Sequence, residues 1–346
     1  MKFSLFAHME RVGDHNQQRQ LYEELLQLCQ MADEGGMHAI WTGEHHGMNF
    51  TISPNPLLNL VDLARRTKNV RLGTGTIIAP FWHPIKLAGE AAMTDMICDG
   101  RLELGVARGA YSFEYERLVP GMDAWQAGQR LRELVPAIKA LWAGDYKHDG
   151  EFWQFPETTS SPAPLQAGGP PVWVAARDPS SHEFALQQGC NVQVTPLWLG
   201  DDEVETLMQR FNEACEANPD IPRPKIMLLN HTYVGSDEAD IQRGAEELNV
   251  FYNYFGAWFK NERPVSQGQI KKLSDEEIKN NPMFSPETMR RDKVVGLSSD
   301  VIARLKNYEN MGYDEYAFWI DSGMSFERKR DSLKRFIEEV MPAFEA

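Results

Sequence analysis

Three groups of residues in this chain are of types that can do chemistry. The first is Glu44-His45-His46. Metal-binding barrels hold an ion with histidines at alternate positions, whose side chains point the same way. His45 and His46 are adjacent and diverge on extended backbone, and no His-Glu-x-x-His run exists, so no metal site is expected. The second would be a nucleophile. The chain has no Gly-x-Ser-x-Gly elbow and no cysteine at a helix start, which excludes that chemistry. The third is an anion site. Arg108 is followed by Gly109 and Ala110, small residues that let a ligand approach the backbone closely. Asp178-Pro179-Ser180-Ser181 opens a helix, where free amides and hydroxyls suit a phosphate. Taken alone, Asp178 or Ser180 could simply cap its own helix. With Arg108 nearby, phosphate binding is an equal reading.

The elements that must position these residues alternate. Short apolar runs rich in β-branched residues are followed by helical patterns, which argues for βα units and a parallel sheet. Strands are expected at 2–9, 38–42, 70–78, 101–107, 172–176, 191–194, 225–234 and 315–320. Helices are expected at about 17–35, from 54, from 84, and at 124–142, 179–189, 201–217, 236–259, 299–311 and 326–339. Residues 144–170 read as a loose stretch and 260–292 as polar and irregular. Eight βα units in this length most naturally close into a (β/α)8 TIM barrel, with a long insertion before the eighth strand. A doubly wound open sheet would want a glycine-rich phosphate loop. The nearest run, Gly73-Thr74-Gly75-Thr76, lacks the third glycine and continues into strand. In a barrel the chemistry lies at the C-terminal ends of the strands. That rim would gather His8, Glu44, His45, His46, Gly75, Thr76, Arg108, Arg177, Asp178, His231, Trp319 and Asp321.

Composition narrows the partners. The 346 residues carry a net charge of −15, which disfavours nucleic-acid phosphates and anionic membranes. No stretch approaches a membrane span, and the N-terminus does not read as a signal peptide. Four cysteines with no Cys-x-x-Cys pair fit a reducing cytoplasm, and Cys98 and Cys190 sit in apolar runs as inert core.

An ordered series runs nearly the whole chain: Trp41-Thr42-Gly43-Glu44-His45-His46, Asn55-Pro56, Gly73-Thr74-Gly75, His83-Pro84, Gly100-Arg101, Gly105-Val106-Ala107-Arg108-Gly109, Pro171-Val172-Trp173-Val174-Ala175, Ser180-Ser181 and Val340-Met341-Pro342. This series resembles the bacterial luciferase family of flavin-dependent monooxygenases. The resemblance implies a barrel that binds FMN at its rim. Arg108 and Ser181 would hold the flavin phosphate, with Ala110 and Ser180 beside them, and Arg177 and Asp178 would lie along the flavin. Gly75-Thr76 would match the place where the family often has a non-proline cis peptide, and His45 the catalytic histidine, expected to move a proton or orient the reacting groups. His8, His46, Trp198, His231 and Trp319 would shape the substrate pocket; His83 reads as structural.

The resemblance further implies that a separate NAD(P)H:flavin reductase supplies reduced FMN, since the chain has no nicotinamide-binding motif. Reduced FMN would react with O2 to a C4a-(hydro)peroxyflavin that oxygenates a small organic substrate. Such chemistry needs a dry, closable site, and 256–292, with Trp258, Phe259, Met283 and Phe284, is the expected lid. No carboxylate clamp is evident at the rim, so a small and largely uncharged substrate is expected. A homodimer is implied as well. Two departures bear on activity. Ala107 stands where light-emitting members carry a reactive cysteine, so light emission is not expected, and Arg177 stands where they carry an acid, so a different flavin contact is expected there. The alternatives are a deazaflavin (F420)-dependent dehydrogenase of the same barrel family and a flavin-binding protein without turnover.

Overall fold

The computed structural model describes residues 1–12, 18–281 and 283–344. Its elements in chain order begin with β1 (Lys2–Phe6), α1 (Gln18–Glu34), β2 (Ala39–Thr42), α2 (Pro56–Arg66), β3 (Arg71–Thr74), β4 (Ile77–Ile78), α3 (Pro84–Ile97) and β5 (Leu102–Ala107). Next come α4 (Ser112–Leu118), α5 (Ala124–Ala143), β6 (Tyr146–Asp149), β7 (Gln154–Thr158), β8 (Val172–Ala175), α6 (Pro179–Gln187) and β9 (Asn191–Val194). The chain continues with α7 (Asp201–Ala217), β10 (Ile226–Val234), α8 (Glu238–Lys260), α9 (Asp275–Lys279) and α10 (Pro286–Asp292). It closes with β11 (Val294–Gly296), α11 (Ser298–Met311), β12 (Glu315–Trp319) and α12 (Phe326–Arg335).

The strands β1, β2, β3, β5, β8, β9, β10 and β12 pair in parallel in that order, and β12 pairs back with β1. The sheet therefore closes into the eight-stranded barrel the alternation predicts. Its strands are buried on both faces, the usual state of a parallel sheet sheathed by helices. The helices begin where the sequence provides caps. Asn55 accepts from the Leu57 amide with Pro56 in the first turn, and Asp123 with Gln126 forms a reciprocal cap on α5.

The barrel floor is a polar plug. Glu315 accepts from Ser4 Oγ at 2.5 Å and Trp41 Nε1 at 2.9 Å, while Glu103 accepts from Trp173 Nε1 at 2.7 Å and pairs with Arg71. The two indoles meet edge to face at 5.3 Å, closing the floor under the rim cavity. Cys29, Cys98 and Cys190 are buried and Cys215 is half-buried; all four are free thiols.

Several boundaries differ from the expectation. The third strand breaks at a cis Gly75–Thr76 bond into β3 and β4. The stretch 144–170 holds an antiparallel ribbon, β6–β7, whose proline, Pro156, is at an exposed position where no ladder bond is lost. The segment expected as a lid from Gly256 begins inside a helix, because Gly256, Trp258 and Phe259 belong to the last turns of α8. The insertion is not irregular throughout: α9 and α10 form in it, and β11 pairs with β10. Two expectations touch residues outside the described ones, the α1 start at Gln17 and the middle of the insertion at Pro282.

Candidate active site

A cavity of about 800 Å³ opens at the C-terminal ends of the barrel strands. Its wall includes His8, His45, Gly75, Thr76, Arg108, Ala110, Arg177, Asp178, Ser180, Ser181 and Trp319, so all but three of the site residues read from the sequence meet there. The three that do not are His46, Trp198 and His231. His46 turns away to Glu44, at 2.6 Å, and lies against Phe81. Burial opposes its proton, but the Glu44 carboxylate outweighs this and holds its pKa above the ordinary value. Trp198 packs behind the wall on Phe255 and Phe259. His231 lies flat against Trp319, ring centres 3.9 Å apart, with Nδ1 at 2.8 Å from Tyr252 Oη and Nε2 at 2.9 Å from the Asp321 carbonyl. It thus packs on Trp319 and does not line the cavity, and burial keeps it neutral.

One end of the cavity is cationic. Arg108, Arg132, Arg177 and Arg210 all line it. Arg177 pairs with Glu203 at 2.8 Å. Among the described residues, Arg108 and Arg132 have no carboxylate partner: Arg108 donates to the Ala124 carbonyl, and Arg132 to the carbonyl and hydroxyl of Ser180. Two uncompensated guanidiniums in a chain of charge −15 mark a place for an anion. Asp178 caps α6, accepting from the Ser181 amide at 3.1 Å and Ser180 Oγ at 2.7 Å, and these bonds hold its pKa down against the effect of burial. Ser181 Oγ donates to the Asp178 carbonyl. Both serine hydroxyls thus donate within the cap, while the Arg108 and Arg132 guanidiniums line the cavity. Gly109, at φ +89°, turns the chain after β5; a Cβ there would sit 2.9 Å from Ile78.

The other end carries histidines and acids. Glu114, on α4, is buried; its Oε2 lies 3.0 Å from His45 Nδ1 and its Oε1 accepts from the His46 amide at 2.7 Å. The Glu114 carboxylate faces Nδ1 and fixes the orientation of the His45 ring, which forms part of the cavity wall. The His8 ring lies 4.9 Å from that of His45, and the bare Cα of Gly43 makes room for it. Burial, with His45 adding to it, pushes the His8 pKa down to about 3, so His8 is neutral. His8 Nδ1 is 3.2 Å from Glu10 Oε1, and Trp319 Nε1 donates to Glu10 Oε2 at 2.8 Å. Burial raises the Glu10 pKa to about 8. Asp321 accepts from the amides of His8 and Glu10 at 2.6 and 3.1 Å. Phe6, Tyr111, Phe255 and Phe259 complete this end.

Glu10, Tyr111, Glu114 and Arg132 went unread in the sequence. Glu10 stands two residues past His8, but β1 ends at Phe6 and the chain turns at Met9, φ +63°, so strand alternation does not point to it. With Glu10 in the wall, the expectation of an uncharged substrate loses its premise. Among the described residues no cluster of three or more metal-ligating side chains is present, and no helix is long and apolar enough to cross a membrane.

Comparisons with known proteins bear on this site. The family model described as luciferase-like monooxygenase matches residues 1–315. The oxygenase component of the flavin-dependent trigonelline monooxygenase of Acinetobacter baylyi is 71% identical over 99% of this chain and 96% of its own. The structure of monooxygenase RslO1 from Streptomyces bottropensis superimposes with a TM-score of 0.85 at 27% identity, covering 100% of both chains. The oxygenating constituent of 3,6-diketocamphane monooxygenase from Pseudomonas putida, solved with FMN, gives a TM-score of 0.78 at 18% identity over 99% of this chain and 98% of that one, a likeness of fold.

Proposed function

The chain belongs to the luciferase-like monooxygenase family, and from that premise we propose that it is the oxygenase component of a two-component monooxygenase that uses reduced FMN and O2 on trigonelline or a close N-methylpyridinium acid. The observation that carries this is one cavity whose cationic end faces a carboxylate-held histidine, in a chain 71% identical to the Acinetobacter enzyme.

The residues fit FMN. Arg108 and Arg132 supply charge for its phosphate, and Gly75, Thr76, Ala107 and Ala175 present small surfaces between the two ends. When bound, reduced FMN supplies the electrons that activate O2. The rest is work for the chain. His45 Nε2 takes or returns a proton at the reacting centre, while Glu114 holds the ring in one tautomer and orientation. Tyr111, Phe255, Phe259 and Trp319 keep water out. The reductase partner is a separate NAD(P)H:flavin enzyme. The segment 261–292 acts as the lid: the Gly268 carbonyl already accepts from the Asn49 amide at 2.7 Å beside the β2 loop. A cytoplasmic homodimer completes the reading, with exposed Leu58, Met93 and Met96 on the neighbouring α2 and α3 as its support.

The deciding experiment supplies the chain with FMN, a flavin reductase, NADH and ¹⁸O2, and follows trigonelline. Label is expected in the product, with O2 uptake that requires both FMN and trigonelline. Flavin binding without label in any product would leave the non-catalytic reading, and turnover only with F420 the dehydrogenase.

A further inference from the structure

We propose that Glu10 is the specificity-determining residue of the substrate end of the cavity: its carboxylate, framed by Phe6, Tyr111, Phe255, Phe259 and Trp319, selects a ring that carries a permanent positive charge. The inference rests on the oxygenase reading above and names what in this chain would recognise such a ring.

Glu10 is 2% exposed and lines the cavity. Its two hydrogen-bonding neighbours, Trp319 at 2.8 Å and His8 at 3.2 Å, are uncharged, since burial holds His8 neutral. The carboxyl group thus sits in an aromatic wall with no cation in hydrogen-bond contact. Aromatic faces and a carboxylate are the two surfaces that attract an organic cation unable to donate a hydrogen bond.

The charged and titratable groups facing Glu10 come from several elements. They are His8 on its own segment, Asp321 after β12, Lys329 on α12, His45 after β2, Tyr111 before α4 and Tyr252 on α8. His231 on β10 stands behind Trp319 and is neutral. Lys329 balances one of the two acids, Glu10 and Asp321. Burial resolves the excess by leaving Glu10 protonated below about pH 8. A permanent cation entering the site supplies the missing counter-charge and has no proton to give. Glu10 then ionises, the O–H bond breaks, and the proton leaves to solvent.

The test titrates the FMN-loaded protein with trigonelline and with 3-methylbenzoate. The second compound replaces the N-methyl cation by C-methyl on a ring of the same shape and keeps the carboxylate. Wild type is expected to prefer trigonelline at least tenfold. It should release about one proton near neutral pH, read by calorimetry in two buffers of different ionisation heat. The ionised site is the one that binds, so affinity climbs with pH and levels above about pH 8. Glu10→Gln should bring the preference toward unity and abolish proton release, with FMN affinity retained. A variant that keeps both preference and proton release overturns the inference, as does a wild type that oxygenates trigonelline without either. A wild type that prefers 3-methylbenzoate, or binds neither compound, overturns the functional reading along with it. Should Glu10→Gln fail to fold, the wild-type proton count and pH trend decide alone.

Discussion

His45 lines the cavity and meets a buried carboxylate through Nδ1. Replacing it by alanine removes the proposed proton carrier and leaves the arginine end untouched. Product formation in His45→Ala should fall by roughly 10²–10⁴-fold, with FMN affinity measured by fluorescence titration close to wild type; a fully active variant would remove His45 from the mechanism. Glu114 acts through His45. In Glu114→Gln a neutral amide faces Nδ1, so the pH–rate profile should move to lower pH while FMN affinity holds. Arg108 acts at the other end. Arg108→Ala loses charge-assisted contact worth about 1.5–3 kcal/mol, so FMN should weaken by roughly 10–100-fold while riboflavin, which lacks the phosphate, scarcely changes. An equal loss for both flavins would show that Arg108 does not meet the phosphate.

Among the elements, a buried lysine joins the β10 pairing and Arg304 in holding the segment that follows α10. Lys293 donates from Nζ to the carbonyls of Leu197 and Leu199, at 2.5 and 3.0 Å, and so pins the loop after β9 to the start of β11. Burial pushes its pKa down to about 7. The unfolded chain holds that proton up to the ordinary lysine value, so between pH 7 and about 10 the folded state binds fewer protons than the unfolded one. Stability therefore gains from this group as pH rises through that window, by about 1.4 kcal/mol per unit at most. Lys293→Met should flatten the rise, as read by denaturant unfolding at several pH values; an unchanged slope would assign it to other groups. Such pinning lies beyond sequence reading. The barrel strands were legible because each is an apolar run between turn signals: β9 and α7 fall on the expected residues. Glu10 and Trp319 stand 309 residues apart, and Glu114 and His45 are separated by 69. A local pattern carries no trace of such pairs. Arg132 was hidden differently, as one charge among many along α5, and only the fold turns it toward α6.

For the molecule as a whole, the proposed lid can be set against the floor of the barrel. The floor is locked by the Trp41–Trp173 contact and its two glutamates, while 261–292 is tied to its surroundings by the Gly268–Asn49 and Leu273–Asn253 bonds, the Arg290–Glu238 pair and the packing of buried Phe284 and Met289. Ligand closing that segment should protect the exposed Lys271 and Lys272. Tryptic cleavage there is expected to slow severalfold when trigonelline and FMN are both present; an unchanged rate would mean the segment is no lid.

The placement of the four thiols bears on how long such a molecule lasts. An oxygenase that wastes part of its oxygen makes peroxide beside its own backbone, and peroxide attacks thiolates. None of the four cysteines lines the cavity. Burial pushes every one of their thiols above the ordinary value, Cys98 to about 12, so hardly any thiolate exists at neutral pH. Thiols so placed are poor targets for oxidant spilled during wasteful turnover.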